Sequence, residues 1–152
     1  MDYSWIKEML ENENQNVLKR APLVKWCNQV QINRKNLPSF EEVWERYVKP
    51  LEGKRIILNN GEDYNEIVSV SDQGVMRVSR EGNRSLTPKE AYEYAYTSMV
   101  NSPKGVVKRD DILEAYKSDL CSCIVVAILG HYVPFISTID VAKGLKLILK
   151  RK

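Results

Sequence analysis

Histidine is almost absent from this chain of 152 residues, cysteine is scarce, and no apolar run is long. The one histidine is His131, and the cysteines are Cys27, Cys121 and Cys123. Cys121 and Cys123 stand two apart on a predicted helix, about 200° around its axis, so they cannot hold one ion from one face. Structural zinc needs four well-placed ligands, and none of that spacing is present. Three sparse cysteines argue against a secreted disulfide scaffold and for a reducing, cytoplasmic setting. No stretch approaches the roughly 18 apolar residues of a membrane span. Met1-Asp2-Tyr3-Ser4-Trp5 has neither the basic nor the apolar region of a secretory signal. Glycine-rich phosphate loops and the Gly-x-Ser-x-Gly elbow are missing, so no nucleotide cofactor and no hydrolase serine is expected.

What the chain does have is an ordinary balance of 43% hydrophobic and 28% charged residues, with a net charge of +3. The basic excess lies late: residues 101–152 carry nine basic and five acidic side chains. The apolar pattern predicts an α+β protein. Residues 1–52 read as an N-terminal helical segment, with helices near Tyr3–Leu10, Leu23–Cys27 and from Ser39 onward. Ser39 and Glu42 have the spacing of a capping box, and Phe40, Val43, Trp44, Tyr47 and Val48 follow as a helical stripe. Residues 53–152 are expected to share one core with that segment. They begin as a three-stranded antiparallel meander over Arg55–Leu58, Glu66–Val70 and Val75–Ser79, separated by turn signals. Thr87-Pro88-Lys89-Glu90 predicts a capped helix start, with Ala91, Tyr94, Ala95, Ser98 and Met99 on the buried face.

A short strand at Val106-Val107, a helix over Arg109–Tyr116 and a second helix over Ser118–Gly130 follow. Gly130 suits a helix stop. The last apolar stretch, Pro134–Lys150, reads as a hairpin, while Val141, Leu145, Ile148 and Leu149 also fit a helix. From Thr87 onward the order helix, strand, helix, helix, hairpin resembles the winged helix-turn-helix superfamily. That resemblance implies DNA contact from the third helix and from the hairpin, or wing. It points to Ser118 and Ser122 at the helix N-terminus, to Lys143, Lys146 and Lys150 on the wing, and to Lys108, Arg109 and Lys117 beside the second helix. The third helix carries no arginine or lysine, and Asp119 near its start repels phosphate, so backbone contact is expected rather than base reading.

Arg77, Arg80 and Arg84 form a second candidate basic patch, with Arg77 facing solvent by alternation with Met76 and Val78. Tyr92 and Tyr96 are candidates for stacking on bases or a partner, or for partial burial. Trp5, Trp26 and Trp44 suit a core or a protein interface. The acidic pairs Asp110-Asp111 and Glu41-Glu42 fall at helix starts, where they offset the dipole. Glu52-Gly53-Lys54 has a metal-nuclease spacing but lacks an upstream carboxylate on a strand, so a linker role is expected. The sequence therefore predicts no catalytic residue and no metal. It favours a non-enzymatic nucleic-acid-binding or regulatory protein, with a protein-interaction module as the rival.

Overall fold

Ser39 starts the first helix in extended conformation, and its Oγ accepts the Glu42 N–H at 3.2 Å. From there Phe40–Val43 is α-helical (α1), Trp44–Val48 widens into a π turn, and Lys49–Leu51 tightens into a 3-10 turn. The changes of pitch turn Phe40, Val43, Trp44, Val48 and Leu51 all inward. This computed structural model describes residues 21–116, 122–140 and 142–151. The helix expected near Tyr3–Leu10 lies outside the described residues, as do Trp5 and Ser118.

The architecture is mixed α+β, with one five-stranded and one three-stranded sheet. The first sheet runs in chain order: β1 (Leu23–Val24), β2 (Arg55–Ile57), β3 (Tyr64–Ser71), β4 (Gly74–Ser79) and β5 (Arg84–Pro88). β1 joins β2 in parallel and the others pair antiparallel. The three expected meander strands are present, with two additions. Leu23–Val24 is a strand where a helix was expected. Its apolar run is too short for a stable helix, and strand pairing satisfies its backbone. The Tyr132 hydroxyl clasps the pair, accepting the Ile57 N–H at 2.7 Å and lying 3.1 Å from the Val24 carbonyl. Burial pushes that phenol up to about 12.

β5 occupies residues expected to turn and cap. Thr87 faces the core opposite Val75 instead of capping a helix. Helix α2 (Lys89–Asn101) springs from Pro88 without a side-chain cap, and the Gln73 carbonyl takes the Lys89 N–H. Ala91, Tyr92, Ala95, Tyr96 and Met99 are buried, so the inner face is rotated from the one predicted, which held Tyr94. Arg34 closes the far end of α2, donating to the carbonyls of Val100, Ser102 and Pro103 at 2.9–3.2 Å.

β6 (Val106–Lys108), α3 (Arg109–Ala115), α4 (Ser122–Tyr132), β7 (Ile136–Ile139) and β8 (Gly144–Leu147) follow among the described residues. Residues 136–147 are therefore a hairpin. The second sheet is antiparallel in the order β6-β8-β7. The body of α4 is apolar and buried all round: Ile124 to Leu129 have no exposed surface. Gly130 does not stop it, since the helix runs on to Tyr132. A Cβ on Gly130 would lie 2.5 Å from Thr138 Cγ2 and 3.0 Å from Leu145 Cδ2, so the glycine lets helix and hairpin approach. For Gly130→Ala, overpacking costs about 1–3 kcal/mol and better helix propensity returns about 1 kcal/mol. The expected result is a melting temperature lower by about 2–4 °C, read by thermal denaturation.

Helices α1, α2 and α4 and both sheets contribute to one apolar cluster. The segment between β1 and α1 holds a 3-10 turn at Arg34–Asn36, and ahead of that turn it is laced to the C-terminal half. The N–H groups of Cys27, Val30 and Ile32 donate to the carbonyls of His131, Pro134 and Ile148 at 2.8–2.9 Å.

Candidate functional site

Sheet register decides which basic residues meet. Lys108 pairs with Gly144, and Val106 pairs with Lys146. Leu145 and Leu147 are buried, so Lys146 between them points outward. Lys108 shares that outward face, on the diagonal from Lys146, a separation of roughly 7 Å between such positions. The Arg109 N–H donates to the Lys143 carbonyl at 2.8 Å, which fixes the hairpin turn against the start of α3. Lys108, Lys143 and Lys146 are exposed and Arg109 is half-buried. No ion pair engages these four among the described residues. Asp110 and Asp111 occupy the first turn of α3, where they offset its dipole and temper the local positive potential. Close approach builds the corner: a Cβ on Gly144 would stand 2.7 Å from the Val107 carbonyl oxygen.

The other expected contacts divide. Lys150 is exposed, and its N–H is held by the Ile32 carbonyl at 2.9 Å. Lys117 and Ser118 lie outside the described residues. Ser122 is 5% exposed, so it offers nothing to a ligand. The cause is its side of α4: Ser122 lies with Ile124 and Val125 in the buried part of the first described turn, while Cys123 faces out.

The arginine patch does not form. Val75 is fully buried, so Arg77 two residues on shares its inner face, opposite Ile67. Its Nη1 donates to Oδ1 of buried Asn65 at 2.8 Å. Alternation revealed the period of β4 but not its phase. Arg84 pairs with Val78 on the opposite face, and Arg80 sits 4.0 Å from Asp63 and over the Tyr64 ring.

The aromatic candidates are mostly structural. Trp44 packs edge-on to Tyr92 in the core. Tyr96 is 2% exposed and donates to the Pro38 carbonyl, and burial raises its pKa, with Glu42 and Tyr47 adding to the shift. Neither Tyr92 nor Tyr96 is available for stacking. Trp26 is 41% exposed and lies flat on His131, with ring centroids 3.9 Å apart. His131 is inside α4, not beyond its end, and its Nε2 meets Asn59 Oδ1 at 3.2 Å. Burial lowers the His131 pKa. The unfolded imidazole titrates near its ordinary value of 6.5, above the folded one. Stability from the neutral ring is therefore present above about pH 6.5 and is lost as pH falls through the folded pKa. The melting temperature should drop between pH 7.5 and 5.5, and the drop should shrink in His131→Gln. An equal drop in both proteins would remove His131 as its source.

The remaining chemical candidates of the sequence have definite places among the described residues. Glu52 Oε1 accepts the Val70 N–H at 2.9 Å and so ties the end of the 3-10 turn Lys49–Leu51 to β3. No group of three potential metal ligands occurs there. Cys27 is half-buried, which raises its pKa, while Cys123 is exposed. No described helix is long and apolar enough to cross a membrane.

A feature missed in the sequence lies on the outer side of α2. Glu90, Glu93, Tyr94, Thr97, Asn101 and Tyr116 line a groove of roughly 690 Å³. The first five recur at helical spacing, a stripe legible as the complement of Ala91, Ala95 and Met99. Against known protein families, curated proteins and solved structures, the chain shows no match.

Proposed function

We propose that this chain is a non-enzymatic nucleic-acid-binding protein, and that its C-terminal half works as a winged-helix-like unit. The observation that carries the reading is the convergence of Lys108, Arg109, Lys143 and Lys146 at the corner between β6, α3 and the β7–β8 turn. The order helix, strand, helix, helix, hairpin, with its central strand β8, supports the same reading. Because α4 is buried, base edges have no reader on it, and the contacts are to phosphate. Sequence-tolerant binding to duplex follows. A cytoplasmic setting fits the free thiols of Cys27 and Cys123.

Four phosphate contacts give a slope of about −3.6 in log affinity against log salt. Anisotropy of a labelled duplex should therefore fall about a hundredfold in affinity between 50 and 200 mM salt. No binding at micromolar protein in the lower salt would sink the proposal. A second reading, a protein-interaction module, is favoured by the groove on α2 and by the absence of lysine and arginine from the described part of α4.

A further inference from the structure

The α2 groove is built for positive charge, and the fold supplies one example. Lys89 Nζ lies 3.0 Å from Glu41 and 3.9 Å from Asp72, over the rings of Trp44 and Phe40 at 5.4 and 6.0 Å. Its side chain is only 16% exposed. A second hollow of about 230 Å³ surrounds that ammonium and shares Glu90 and Glu93 with the larger groove. The continuous surface therefore carries Glu41, Asp72, Glu90 and Glu93 against Lys89 alone, on a chain whose net charge is +3. Lys89 takes up Glu41 and Asp72. Glu90 and Glu93 meet no cation among the described residues. Beside them Tyr94 is 37% exposed and meets Tyr116 edge-on, with centroids 6.0 Å apart. Exposed carboxylates beside an exposed phenol ring, Tyr94, backed by the half-buried Tyr116, are the groups that recognise guanidinium and ammonium side chains.

We propose that this groove docks an arginine- or lysine-bearing segment of a partner protein. The basic side chains pair with Glu90 and Glu93, and the segment's apolar atoms lie on Tyr94 and Tyr116. The surface is separate from the basic corner at Lys108 and Lys143, so one chain offers an anion-binding and a cation-binding face. The two proposals stand or fall independently.

The test uses a fluorescein-labelled peptide of arginine, leucine and glycine, about eight residues long, which when extended spans α2. Anisotropy with the full chain should show saturable binding. Glu90→Gln/Glu93→Gln should weaken it about tenfold, the effect of losing two charge pairs of this kind. The control pair Glu62→Gln/Glu81→Gln makes the same charge change at exposed sites elsewhere and should leave the affinity unchanged. Thermal melts confirm that each variant is folded, which the exposure of all four side chains favours. Absence of saturation, equal weakening in both pairs, or equal binding of a peptide with glutamate for arginine overturns the proposal. Lys143→Glu/Lys146→Glu should leave peptide binding intact while reducing duplex binding, which separates the failure of one site from that of the other.

Discussion

Lys108→Glu/Lys143→Glu/Lys146→Glu is expected to abolish measurable duplex binding while leaving the fold intact. Each lysine is exposed and without an ion pair among the described residues, so its replacement breaks no structural contact seen there. Each phosphate contact removed flattens the salt slope by about one unit, and the three new carboxylates repel phosphate as well. Arg109 alone would remain at the corner. Starting from about four contacts, a loss of a hundredfold or more in affinity at low salt is the expected size. Anisotropy titration of wild type and variant side by side measures it. Retention of binding within about threefold would move the interface elsewhere on the molecule. Single variants should weaken every duplex sequence alike, because phosphate contacts carry no base information.

Gly74→Ala should be the most damaging small substitution in the fold. Gly74 opens β4 at φ +143°, a region that side-chain-bearing residues rarely adopt. It is squeezed between neighbours, pairing Ser71 on one side and Pro88 on the other. A Cβ there would overlap the Thr87 carbonyl oxygen and come within 2.9 Å of Pro88 Cα. Both are backbone atoms, so no rotamer change relieves the contact. Backbone strain of about 1–3 kcal/mol and overpacking of similar size sum to about 2–6 kcal/mol. A drop in melting temperature on the order of 10 °C follows for a chain of this length. Gly82→Ala is the matched control. It also has positive φ, at 88°, but nothing lies within 4 Å of the new carbon. Its cost should be about 1 kcal/mol, from the backbone alone. Equal losses in the two variants would show that the β5 backbone yields.

Local pattern made some of this legible. The stripe Phe40–Val48, the meander and the apolar body of α4 each state their burial in their own residues. The hairpin over 136–147 was one of two periodic readings, and pairing with β6 selected it. Close approach was harder to read. Gly130 has the chemistry of a stop, and its use against Thr138 depends on a neighbour eight residues away in another element. Arg77 was misjudged because alternation leaves the choice of face open, and a register shift between Ile67 and Ser69 lies alongside it. The helix expected at Leu23–Cys27 failed because its backbone partners, Arg55, Ile56 and His131, are remote in sequence. For the basic corner, the lysines of the hairpin were evident as charges. Their meeting with Lys108 and Arg109 depended on which strands pair, and Ser122 was lost to the buried side of its helix.

The lacing of residues 27–32 onto 131–150 also bears on synthesis. Ile32 bridges Leu149, and its carbonyl accepts the Lys150 N–H. The early segment therefore has no native partner until more than a hundred later residues have been translated. Val30, which remains 52% exposed even when docked, spends that interval as an apolar side chain on a nascent chain. Its native backbone hydrogen bonds form only once the strands near the end of the fold are in place.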